Sequence, residues 1–253
     1  LKPAGADEGE IVIATGTPGR TRRLLTVSQL ETLRDVELIS SALRLTELRG
    51  LLTRFRAENP ENARIAGADL SRVENTLKVL RGEIETLHDA ETFQRKRDAE
   101  TLLRDYVAQD TTLAASASAW DAIAEAQKAR RALGAEYNQL EIANAFVSPL
   151  FVHARNLLRA AEERALPDGK RLREFSESAL PALRQRTLAV TPVYPEYEAI
   201  TLAWSLGNAR EILGSNHPAI KTLLGNQSPK AVAERLLRTT RLGDADERAR
   251  LWD

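Results

Sequence analysis

A short β-branched run followed by an unbroken series of helical segments constrains this chain most. Residues Gly9 to Arg23 read Gly-Glu-Ile-Val-Ile-Ala-Thr-Gly-Thr-Pro-Gly-Arg-Thr-Arg-Arg. Ile11 to Thr15 has the character of a strand, and Gly16 to Thr21 that of a tight turn, with Pro18 fixing φ and Gly19 free to take positive φ. Nearly everything after it has helical periodicity. A lone strand leaves its backbone groups without partners. The expectation is therefore that the strand completes a sheet lying outside this chain, and that the chain is a helical piece of a larger protein. The Leu-Lys-Pro start and the absence of methionine fit a cut boundary.

Composition narrows the function classes. Of 253 residues, 36 are Lys or Arg and 36 are Asp or Glu. A formal charge of zero argues against a general nucleic-acid or membrane-surface binder, because both need a positive excess. The absence of cysteine removes disulfides, thiol nucleophiles and thiolate metal sites, and it fits either side of a bacterial inner membrane. No apolar run reaches the roughly 18 residues that a membrane span needs. No signal peptide is present, and in a piece of a larger protein that absence says nothing about secretion.

Helix boundaries are marked by caps and prolines. Thr26 with Gln29 forms a capping-box pattern, opening a helix predicted to run to about Ala57 with Leu30, Leu33, Val36, Leu43, Leu48, Leu52 and Phe55 on its apolar side. Glu58-Asn59-Pro60-Glu61-Asn62 breaks it. In the next helix Leu70, Val73, Leu77, Leu80, Ile84 and Leu87 recur at alternating steps of three and four, a heptad seam for a neighbouring helix. Further helices are predicted over 90–108, from Thr111-Thr112 onward with continuation through Tyr137 to Phe146, and from Ser148-Pro149 to Ala165. Others are predicted over 170–188, 196–213, 217–224 and 228–239. Val190 to Pro195 reads as an extended crossing.

Candidate chemistry is sparse. Ala14 to Thr21 nearly fits a phosphate-binding loop, but Ala replaces the first Gly, Arg replaces the Lys, and the parallel strands of a nucleotide-binding domain are missing. His88, His153 and His217 are far apart in sequence and read as surface or packing residues. No G-x-S-x-G elbow occurs. The chain offers no candidate catalytic residue, no metal site and no cofactor site. Asn75, Lys78 and Gly82 form one stripe opposite the seam, Asn75 and Gly82 at f and Lys78 at b. A helix-interior Gly costs about 1 kcal/mol relative to Ala. The stripe is therefore either a face that something approaches closely or a solvated face with one tolerated Gly.

Three motifs carry a family resemblance. Thr17-Pro18-Gly19-Arg20-Thr21-x-Arg23 resembles the PGRT-x-R segment of the dipeptidyl-peptidase 7/11 family of bacterial serine exopeptidases, with Arg22 where the family has Asn. Asn75-Thr76-Leu77-Lys78-x-x-x-Gly82 resembles its N-[ST]-x-K-x-x-x-G helix. Thr240-Arg241-Leu242-Gly243-Asp244 is similar to its GTRLGD exit, with Thr239 in place of Gly. Together they bracket essentially the whole chain.

The resemblance implies an all-α, multi-helix cap domain carrying a short N-terminal strand left over from a chymotrypsin-like β-barrel. Residues 1–25 would be the barrel remnant, 26–240 the helical cap and 241–253 a return segment toward the barrel. The parent would be a serine dipeptidyl aminopeptidase that releases dipeptides from peptide N-termini. Its catalytic His, Asp and Ser would lie outside this chain, so the fragment alone would be inactive. Asn75 matches the helical-domain residue that contacts the substrate N-terminus, and an ammonium with three donors needs such an acceptor. Gly82 would permit close approach on the same face, and Lys78 would orient Asn75 or pair with a barrel carboxylate. The implied partners are peptide substrates and the catalytic barrel, with no nucleic acid and no membrane. The implied parent is a homodimer, periplasmic or secreted. The alternative is a stand-alone helical interaction module without catalysis.

Overall fold

The computed structural model describes residues 5–13, 22 and 24–253. Among them the only regular structure is helix, so the chain is an all-α domain. Ile11, Val12 and Ile13 are exposed and form no strand, while Ala14, Thr15 and the Pro18-Gly19-Arg20-Thr21 turn lie outside the described residues.

The helices in order are α1 (Val27–Thr32), α2 (Leu38–Glu58), α3 (Pro60–His88), α4 (Ala90–Gln109), α5 (Ala119–Glu136), α6 (Pro149–Arg164), α7 (Leu180–Leu188), α8 (Pro195–Leu213), α9 (Pro218–Leu224), α10 (Pro229–Thr239) and α11 (Ala245–Trp252). Their starts follow from local chemistry. The Thr26 hydroxyl accepts from the Gln29 N–H while the Gln29 side chain accepts from the Thr26 N–H, the full capping box. Asn59, Ser148 and Ser228 each cap a helix whose first residue is proline.

Helices α2 and α3 form the central hairpin, joined by Asn59 alone. Leu48 and Leu52 pack with Leu70, Val73 and Leu77, whereas Leu38 shares a cluster with Leu80. Low numbers on α2 thus meet high numbers on α3, as an antiparallel pair requires. Tyr197 and Trp204 of α8 close the first cluster, and Phe93 of α4 the second. A third core lies between α8, α9 and α10, around Leu206, Ile220 and Val232. A fourth joins α6, α7 and α11 through Leu157, Phe175, Leu183 and Trp252.

The structure corrects four sequence-based expectations. The first predicted helix is interrupted by a π-helical turn, Leu33–Glu37. The wider turn shifts the helical phase, so Val36 and Leu43 point to solvent and Leu38 enters the core. The run beyond α5 is a π turn, Tyr137–Glu141, that stops before Phe146, with Ala143 at φ 66°. Residues 170–188 are not one helix: two short 3₁₀ turns precede α7, which begins beside Pro181, where a missing N–H is tolerated. Finally, α11 is a helix that the sequence periodicity did not bring out.

Arg248 of α11 explains how that last helix is held. The residue is 1% exposed. It donates to the Thr187, Ala189 and Leu242 carbonyls, each at 2.7 Å. Thr187 lies in the last turn of α7, where carbonyls lack intrahelical donors. The buried charge is thus met by backbone dipoles.

Glu198 of α8 is the second unusual buried group, at 3% exposed. It accepts from the Ser148 hydroxyl at 2.5 Å. Burial holds its carboxyl above the ordinary value of 4.5, against the opposing pull of the Ser148 and Leu150 hydrogen bonds. A raised folded-state value means that folding favours the neutral acid. This contribution to stability is complete below about pH 4.5 and is lost as pH rises through the raised value. Replacing Glu198 with Gln should remove that slope, so denaturant melts of the two proteins should diverge as pH rises above 4.5; a difference constant with pH would refute it. In the hairpin, Leu52→Ala, at a position 0% exposed, should cost about 2–5 kcal/mol in urea unfolding.

Candidate functional site

The predicted stripe lies on α3, and its placement follows from the hairpin. Leu70, Val73, Leu77 and Leu80 are turned toward α2 and buried, so the opposite side of a 29-residue helix must face outward. Asn75, Lys78 and Gly82 are all exposed there. Asn75 and Gly82 are seven residues apart, about 10 Å along the axis at 1.5 Å per residue.

The two ends of the stripe differ in chemistry. Toward the N-terminus of α3, Asp69 accepts from the Tyr197 hydroxyl of α8 at 2.7 Å and from Arg72 at 2.7 Å. Burial first, and then the Asp69 contact, push the Tyr197 hydroxyl well above the usual tyrosine range, so it stays a neutral donor. Its ring lies 5.5 Å from that of Phe55. This network ties the face near Asn75 to α8 and fixes Arg72 one turn before Asn75. The Thr76 hydroxyl donates to the Arg72 carbonyl at 2.8 Å and is thereby used within the helix.

At the other end, Gly82 lines an apolar recess between α1, α3 and α4 of about 420 Å³. A β-carbon at position 82 would meet nothing within 4 Å. Packing inside the domain therefore does not require this glycine. Glu83 pairs with Arg22 at 3.4 Å across the same region. Thr86 donates to the Gly82 carbonyl at 2.7 Å.

The histidines take separate structural parts. The His88 ring lies 2.9 Å from the Ile84 carbonyl of its own helix. His217 caps α9, its Nδ1 accepting from the Ala219 N–H at 3.2 Å, and its Nε2 is 3.6 Å from Glu136. His153 is buried, and burial first, then the nearby Arg248 charge, lower its pKa and keep it neutral. Among the described residues no group of three or more His, Cys, Asp or Glu is placed to hold a metal ion. None of their helices is long and apolar enough to cross a membrane.

Sequence reasoning placed Asn75, Lys78 and Gly82 correctly on one outward face but missed the recess and the Tyr197–Asp69–Arg72 network. Both depend on contacts between α3 and helices distant in sequence, which periodicity within α3 does not encode.

Comparison with known proteins agrees with the motif reading. A family model, Peptidase S46, matches residues 1–253. No curated protein matches the chain. The chain belongs to the peptidase S46 family, the dipeptidyl-peptidase 7/11 family that its motifs resemble.

Proposed function

We propose that this chain, as a member of a peptidase family, is the helical cap of a serine dipeptidyl aminopeptidase and that Asn75 binds the amino terminus of the peptide substrate. The observation that carries the reading is the exposure of Asn75 on the face of α3 opposite the core, in a chain matched by the family along its whole length.

The chemistry suits an exopeptidase. A peptide N-terminus presents three ammonium donors, and an Asn carbonyl oxygen accepts one without adding a charge. The cap rests on a rigid base, since α3 is pinned by α2 along its length and by Tyr197 from α8. A group on such an element is held in one geometry as the cap moves, whereas a group on a loop is not. Closure over a barrel-shaped catalytic part would exclude water and complete the site. In this reading residues 1–25 belong with the barrel, 26–240 form the cap, and 241–253 return toward the barrel. The nucleophile, base and orienting acid reside in the barrel. The parent is a homodimer, periplasmic or secreted, whose partners are peptides.

In the full-length enzyme, Asn75→Ala removes a hydrogen bond to a charged group, an interaction of about 1.5–3 kcal/mol, so kcat/KM for dipeptide release should fall roughly 10- to 100-fold. The melting temperature should stay within about 1 °C, because an exposed side chain carries little core. Loss of folding without a separate loss of affinity would remove the anchor role. The isolated 253-residue chain should hydrolyse no peptide substrate, and peptidase activity in the purified chain would overturn the assignment of catalysis to a separate barrel.

A further inference from the structure

Helices α6, α7 and α11 form a lobe of their own. Leu157, Ala160, Phe175, Leu183 and Trp252 close one core among themselves, and the three helices pack mainly on one another. Arg248 fastens α11 to the end of α7, and Arg164 of α6 donates to the Trp252 carbonyl. Among the described residues, no buried apolar cluster joins this lobe to the α2–α3 hairpin or to α8, α9 and α10. Parts that share no apolar core lose little when they shift against each other.

The lobe meets the rest of the domain at one junction. Segments 142–148, 189–194 and 240–244 cross it. Ser148, at the end of the first, donates to Glu198, just beyond the second. The second and third run side by side, since a β-carbon on Gly243 would lie 3.6 Å from the Val193 side chain. Phe146, which packs against the core around Leu206, stacks on Phe151 of α6 with ring centroids 4.1 Å apart.

The first crossing carries two unfavourable features. Ala143 has φ 66°, and among the described residues no other non-glycine has positive φ. Gln139, 3% exposed, has a side-chain carbonyl oxygen without a hydrogen-bond partner among the described residues. Each costs free energy in this arrangement. A polar clamp opposes that cost. Arg159 of α6 pairs with the Glu141 carboxylate through two bonds of 2.7 Å, and Arg155 donates to the Glu141 carbonyl at 2.9 Å. The ion pair is partly exposed, so dissolved salt reaches it.

We propose that the α6–α7–α11 lobe pivots about the Phe146–Ser148 crossing between two arrangements, and that the clamp of Glu141 on Arg155 and Arg159 latches the present one. The lobe carries the last helix and the hairpin carries Asn75, so release of the clamp changes the separation of those two points. The device does not depend on the cap reading, because all its parts lie within the described residues.

The chain has no cysteine, so spin labels attached to introduced cysteines report single positions. Labels at Ser71 of α3 and Ala161 of α6, both exposed, measure the lobe against the hairpin by electron–electron distance spectroscopy on the 253-residue chain. Labels at Ser71 and Glu85 serve as a ruler within one helix, about 21 Å along its axis. Glu141→Gln, or about 1 M salt on the chain with Glu141 intact, should widen the Ser71–Ala161 distance distribution roughly twofold or more and leave the ruler unchanged. Exchanging the charges with Glu141→Arg and Arg159→Glu should narrow it again. So should Ala143→Gly added to Glu141→Gln, because glycine takes positive φ without strain and favours the latched arrangement. No widening under either condition, widening shared by the ruler, or a Glu141→Gln width that Ala143→Gly leaves unchanged would each overturn the proposal.

Discussion

The leucine seam between α2 and α3 is the contact on which the other parts of the domain depend. Leu52 at its centre is fully buried, and Leu48, Leu70, Val73 and Leu77 surround it. A helix of 29 residues with one apolar side has no choice about its other side, which must be presented outward. Burying the seam therefore determines that Asn75, Lys78 and Gly82 are displayed. Stability and presentation on this helix are two results of one packing event.

Local chemistry was legible in the sequence, and phase was not. The Thr26 box, the Asn59-Pro60 break and the Ser148-Pro149 and Ser228-Pro229 starts depend on backbone donors within a few residues, so residue type alone reveals them. The π turn at Leu33–Glu37 is different. It is one widened turn in an otherwise continuous helix, and nothing in Leu-Arg-Asp-Val-Glu marks it. Its effect is large, since it exchanges Val36 and Leu43 for Leu38 in the core. Residues 170–179 failed for the opposite reason: their composition suits a helix, but Pro181 sets where the helical N–H ladder can begin. The partners of α11 lie about 60 residues upstream, at Thr187 and Ala189, beyond the reach of periodicity.

For the face on α3, residue types and spacing were legible beforehand, and the structure adds the setting. Tyr197 and Asp69 show that the end near Asn75 is braced from α8, while the end at Gly82 borders an apolar space. One helix face thus joins a polar, hydrogen-bonded region to an apolar one.

Arg248 has a mechanical consequence. A cation met by three carbonyl dipoles has, among the described residues, no acidic partner that could be protonated, and its contacts lie away from dissolved ions. Acid or brine that loosens the surface ion pairs leaves this rivet intact. One side chain thereby fastens α11 both to the end of α7 and to the bend that precedes α11.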